Sequence, residues 1–102
     1  MYKLLALYDH PEDVEAFEQY YRDVHTPLVQ NVPELQRLVV NRVKGDPMGG
    51  SPRYHMIAEM HFADAESFKR ASQSQEFQAT GADLANFAKG KVTLLVVEEE
   101  DS

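Results

Sequence analysis

Cysteine is absent from all 102 residues. That excludes disulfides, thiolate nucleophiles, iron–sulfur clusters and cysteine-ligated zinc. Long apolar runs are missing too, and nothing approaches the ~20 residues of a membrane helix. Residues 1–10 hold an apolar run too short for a signal peptide, with no small-residue cleavage site. These absences predict a cytoplasmic protein without a membrane association. Basic residues are scarce: 10 Lys and Arg face 17 Asp and Glu, for a net charge of −7. Four of those acids, Glu98, Glu99, Glu100 and Asp101, crowd the end of the chain, and without them 13 acids face 10 bases. A chain with no basic excess is not expected to bind nucleic acid. The terminal acids read as a solvated tail. The expected division is therefore one folded domain over residues 1–98 and an acidic tail over 99–102.

Glycine is also sparse. Three of the five glycines, with two of the five prolines, stand in the loop 45–52. No helix follows that loop and it lacks a Walker lysine, so it reads as a hairpin connection and not as a phosphate cradle. Nucleotide, flavin and haem signatures are absent, as are histidine pairs at helical i, i+4 spacing. The expectation is a protein without a resident cofactor, or a helper to another protein.

Hydrophobic residues make up 43% of the chain, which suffices for one core. Residues 3–8, KLLALY, are apolar on both alternating sets, which predicts a strand covered on both sides. Pro11 suits the first turn of a helix, and Glu12, Asp13 and Glu15 favour a helix N-terminus. Val14, Phe17, Tyr21, Val24 and Leu28 form one helical stripe. Thr26-Pro27 is expected to turn the chain out of the helix near His25. Residues 35–44 read as a second strand and 54–62 as a third. Asp64 suits the N-cap of a helix over 65–72. Ser74 suits that of a further helical segment, with Gly81 as a kink or break. Residues 91–98 read as the last strand.

The order β-α-β-β-α-α-β matches the ferredoxin-like split β-α-β plan: an α+β fold with a four-stranded antiparallel sheet and helices on one face. The first and last strands are apolar on both faces while the helices cover one. A second copy of the chain is the economical cover for the other, which predicts a homodimer.

The residues Phe17-x-x-Tyr20-Tyr21-x-x-x-His25-x-Pro27-Leu28, Pro33-x-Leu35, Gly45-Asp46-Pro47, the strand from Tyr54 to Phe62, Ser74-x-Glu76 and Gly81-x-Asp83-Leu84-x-x-Phe87 resemble the EthD family, named for ethyl tert-butyl ether degradation. The resemblance runs over nearly the whole chain. It implies the dimeric α/β-barrel superfamily and an accessory role beside a cytochrome P450 system in ether breakdown, with oxidoreductase as the broad label. Polyketide cyclases, muconolactone isomerases and cofactor-free monooxygenases share that superfamily, so a stand-alone isomerase, cyclase or lyase and a non-catalytic binder of a small hydrophobic molecule are the alternatives.

His25 is the first candidate for catalysis. Near the end of a helix it either handles a proton near neutral pH or bonds local carbonyls, and a helix C-terminus would favour its charged form. The resemblance places a histidine at this position. His55, Glu59 and His61 alternate onto one strand face. His55 and His61 lie roughly 20 Å apart along an ideal strand, too far to share a metal ion. Glu59 with His61 reads as an oriented acid/base pair or as a hydrogen-bonded pair at the dimer interface. The family usually carries an aromatic residue where this chain has His61, whereas Glu59 fits its pattern. Tyr8, Tyr20, Tyr21 and Tyr54 supply phenols for a ligand carbonyl or for the core. Arg37 and Asn41 share a face of the second strand, and Arg42 takes the other. Met48, Met56 and Met60 suit an adaptable pocket or an ordinary core. The expected binding set is Tyr8, Tyr21, His55, Met60 and His61, with His25 and Glu59 as catalytic groups.

Overall fold

The computed structural model describes residues 1–100. Its elements are β1 (Tyr2–Asp9), α1 (Val14–Tyr20), a π-helical turn (Tyr21–His25), α2 (Thr26–Gln30), β2 (Arg37–Arg42), β3 (Tyr54–Phe62), α3 (Ala65–Ser72), α4 (Gln75–Phe87) and β4 (Val92–Glu98). The strands form one antiparallel sheet in the order β2-β3-β1-β4. This is the expected ferredoxin-like α+β plan. The described residues contain no helix long and apolar enough to cross a membrane.

Local chemistry explains most element boundaries. Asp13, Asp64 and Ser74 each accept a backbone N–H three residues ahead, from Ala16, Ser67 and Phe77. Each thereby satisfies a donor that the first helical turn would leave unpaired. Pro11 lies outside the helix, because Asp13 is the cap and Val14 the first helical residue. Gly90 has a φ of 72° in the turn from α4 to β4, where Lys91 N–H bonds the Ala88 carbonyl. A side chain there would be strained. Gly81 breaks nothing, and α4 runs through it.

The first helix departs from expectation. It does not end at Thr26-Pro27 but continues to Gln30. Thr26 N–H reaches back five residues to the Tyr21 carbonyl. The widened turn accommodates Pro27, which has no N–H to give the preceding turn. It also shifts the buried stripe. An α-helix would drift by about 40° at every fourth residue, whereas the wider turn keeps Phe17, Tyr21, His25 and Val29 together on the buried face. Val14 and Val24, expected in the stripe, face outward.

The even-numbered residues of β1, and those of β3 from Met56 onward, face the helices. Tyr8, Met56 and Ala58 pack with Phe17, Tyr21 and Ala88, while Met60 and Phe62 pack with Val29, Val32 and Ala71. On the opposite face, pairing brings Val39, Glu59, Leu5 and Leu95 into one row and Asn41, Ile57, Leu7 and Thr93 into the next. No described helix covers that face. Beyond β4, Glu99 is tied back rather than frayed. Its N–H bonds the Met1 carbonyl, and its carboxylate lies 2.8 Å from Lys3 Nζ. Asp101 and Ser102 of the expected tail lie outside the described residues.

Candidate functional site

Two buried ionisable groups meet between the π turn and α4. His25 Nδ1 lies 2.9 Å from Asp83 Oδ2, and both side chains are more than nine-tenths buried. Asp83 Oδ1 accepts from the Tyr20 hydroxyl at 2.6 Å and from Asn86 Nδ2 at 2.9 Å. Burial raises the cost of a carboxylate here, but the three hydrogen bonds from Tyr20, Asn86 and His25 outweigh it and hold Asp83 below its ordinary value. Asp83 is therefore an acceptor only, so His25 Nδ1 carries the proton. Burial pushes the His25 imidazole below its ordinary value against the opposing pull of Asp83. The resident form is neutral, with Nε2 unprotonated. No described residue makes a hydrogen bond to Nε2.

His25 lines an inner cleft between the helices and the sheet. Its walls include Tyr8, Tyr21, Leu38, Met60, Leu84 and Leu94. The cavity is about 60 Å³, room for about two waters. A larger occupant must displace flexible side chains such as Met60 and Leu84. Burial raises the Tyr21 hydroxyl to about 12 and the Tyr8 hydroxyl further still, so both stay protonated and able to donate. A wider outer cleft of about 430 Å³ opens on the other side of Tyr20 and Phe87. It carries acids and lysines together, among them Asp9, Asp13, Lys89 and Lys91. His25 does not line it; of the two clefts it lines only the smaller.

The expected site residues thus divide three ways. His25, Tyr8, Tyr21 and Met60 share the inner cleft. Glu59 and His61 stand across the sheet, where Glu59 binds His61 at 2.9 Å, Asn41 at 2.8 Å and Lys3 at 3.4 Å. His55 does not share their face. A bulge opposite Tyr8 and Asp9 inserts it as an extra residue of β3. Its ring packs against Phe17, and Nε2 meets Glu18 of α1 at 2.7 Å. His25 is also not at a helix end, and burial opposes the charge that a helix C-terminus was expected to favour.

Asp83 and Tyr20 stand in the motifs that carry the resemblance, but the reading of the sequence assigns Asp83 no role in the site and Tyr20 none beyond that of a phenol, and Asn86 is not singled out. The signal for Asp83 was present. It shares a face of α4 with Thr80, Leu84 and Phe87, at spacings of three and four. A carboxylate in an apolar stripe needs a partner, and a histidine was available.

The π turn, the antiparallel sheet and the His25–Asp83 pair define a small ferredoxin-like α+β protein with a buried histidine–aspartate pair under its helices. The EthD domain family matches residues 9–91, and the chain belongs to that family. It is 38% identical over 101 residues to an uncharacterized 11.0 kDa protein of the thcB–thcC intergenic region of Rhodococcus erythropolis, covering 98% of this chain and 96% of that one. The crystal structure of an ethyl tert-butyl ether degradation (EthD) family protein from Bacillus halodurans superposes with a TM-score of 0.92 at 39% identity, over 98% of this chain and 99% of that one. SnoaB, a cofactor-independent oxygenase from Streptomyces nogalater, shares the fold at a TM-score of 0.67 and 13% identity, over 99% of this chain and 93% of that one.

The dyad predicts how stability depends on pH. His25 binds a proton more weakly when folded than at its ordinary 6.5. Its contribution is therefore complete above pH 6.5 and declines as the pH falls below it, because the unfolded chain takes up the proton first. The depressed carboxylates of Asp83, Glu18 and Glu59 add a second loss below their ordinary values of 3.8 and 4.5. Melting temperatures measured from pH 8 to pH 4 should show the first decline, and a His25→Gln variant should lack it. An identical decline in the variant would assign the effect to other histidines.

Proposed function

We propose that the chain carries out cofactor-independent proton transfer on a small hydrophobic compound held in the inner cleft. His25 is the general base and Asp83 its orienting partner. The observation that carries this reading is the single available ring nitrogen. Asp83 occupies Nδ1, which leaves a neutral Nε2 for the cleft. Nε2 takes a proton from a carbon next to a carbonyl, and the C–H electron pair moves into the carbonyl as an enolate. A protonated tyrosine hydroxyl, from Tyr8 or Tyr21, donates to the enolate oxygen. The imidazolium then returns its proton to the same carbon, or to the far end of the dienolate where the substrate carries a further conjugated double bond, so the step consumes no oxidant. Tyr8, Tyr21 and Met60 are the proposed contacts. Glu59, His55 and His61 take no part, because they do not line this cleft.

Membership of the EthD family favours placing this step within oxidative breakdown of a small hydrophobic compound such as an ether. The chain would act beside a P450-type system that performs the oxidation. The working unit is a homodimer joined through the uncovered sheet face. A panel of small carbon acids, including cyclic enones, lactones and 1,3-diketones, incubated with the protein in D₂O and followed by proton NMR, tests the chemistry. Exchange above the buffer rate is expected for at least one class. None above that rate would leave a binding role in its place. Oxygenase turnover measured with and without this chain separates an accessory from a stand-alone enzyme.

A further inference from the structure

Asp83 spends its two oxygens differently. Oδ2 meets His25 alone, whereas Oδ1 accepts from both Tyr20 and Asn86. The two donors come from different elements. Tyr20 is the last residue of α1, immediately before the π turn, and Asn86 lies one helical turn beyond Asp83 on α4. Both reach Asp83 from the outer cleft, which they line, while His25 lines the inner one. The carboxylate therefore links the surface of one cleft to the base of the other.

We infer that Tyr20 and Asn86 are positioning residues for His25, fixing the orientation of the Asp83 carboxylate and setting how strongly it pulls on the Nδ1 proton. This rests on the reading of His25 as the base. With Oδ1 saturated, the carboxylate cannot rotate to offer His25 a different oxygen without breaking two hydrogen bonds. The same bonds draw negative charge toward Oδ1, so Oδ2 is a weaker acceptor than a free carboxylate oxygen. Taking the donors away leaves more charge at Oδ2, and His25 then holds a proton more tightly. Other groups near the dyad do not compete. Tyr8 from β1 and Tyr21 from the π turn face the inner cleft but stay neutral over the relevant range. Glu18 and Arg42, whose charges reach Tyr21, pair with each other. The Tyr20 hydroxyl is itself held protonated by its bond to Asp83.

Tyr20→Phe removes the hydroxyl and keeps the ring, which stacks on Phe87 with centroids 5.1 Å apart, so the fold should persist. The probe is the proton itself: the His25 ring is titrated by ¹⁵N–¹H NMR in the parent, Tyr20→Phe, Asn86→Ala and the double variant, with no substrate present. The expected result is a higher His25 midpoint by about half a unit in each single variant, and more in the double. The Nδ1–H tautomer should stay dominant, because a stronger acceptor still faces Nδ1. A purely structural role would lower the melting temperature without moving the titration. An unchanged midpoint in Tyr20→Phe would overturn the inference, even if the double variant failed to fold. Because the titration needs no turnover, its failure is separate from that of the proposed function. A midpoint that moves in a protein without exchange activity would keep the positioning role and remove the catalytic one.

Discussion

In a His25→Ala variant, exchange of a carbon-bound proton is expected to fall at least ~100-fold, the lower range for losing a positioned general base. That corresponds to about 2.7 kcal/mol of barrier. Alanine leaves a space under the helices beside Asp83, and the ligand site beyond it remains lined by Tyr8, Tyr21 and Met60. Added imidazole is therefore expected to restore part of the rate, since Asp83 Oδ2 still offers the partner that fixes the ring. Asp83→Asn gives a second route to the same result. Oδ1 must still accept from Tyr20 and Asn86, so the asparagine turns its NH₂ toward His25. The ring must then accept at Nδ1 and carry its proton on Nε2, the wrong nitrogen for a base. A loss of similar size is expected, with the fold kept because the shapes match. Initial exchange rates on the best carbon acid of the panel measure both. A loss under tenfold in His25→Ala would remove the base from the mechanism.

The strands and caps could be read from the sequence because short-range chemistry decides them. Tyr54–Phe62 alternates, Asp64 and Ser74 cap, and the apolar faces of residues 3–8 require cover on both sides. The middle of the first helix could not be read in the same way. Ideal α-helical spacing places Val24 on the stripe and His25 beside it, whereas a single widened turn exchanges them. Nothing local signals that widening except a proline that would break an ordinary turn. The same limit applies to His55. Strict alternation puts it with Glu59 and His61, and one extra residue in the ladder moves it to Glu18. Both errors are one-residue slips of period, which reverse the side a residue faces without changing its element. Asp83 was hidden differently. Its role depends on Tyr20 and His25, which lie 63 and 58 residues away, and pattern within α4 shows only that it is out of place.

Leu95→Asp is expected to dissociate the proposed homodimer. Leu95 stands in the uncovered row with Leu5, Glu59 and Val39, and 46% of its surface is open in the single chain. In the monomer the substitution is a surface change, worth about ±0.5 kcal/mol. Across a twofold interface it is present twice, because each copy offers the same patch. Each carboxylate would lose water among leucines and valines, on a face already holding Glu59. At roughly 2 kcal/mol for each copy the dissociation constant rises about a thousandfold. Sedimentation at micromolar concentration should then find dimers of the parent and monomers of the variant. Val14→Asp, on the exposed side of α1, is the control and should leave the dimer intact. The polar cluster of Lys3, Glu59, His61 and Asn41 makes the outcome informative. Its members already satisfy one another within a single chain, so the cluster alone does not require a partner. The requirement lies in Leu5, Leu7, Ile57 and Leu95, which have no polar function to justify exposure. A parent protein that sediments as a monomer at these concentrations would show that the apolar rows tolerate water, and the homodimer would be abandoned.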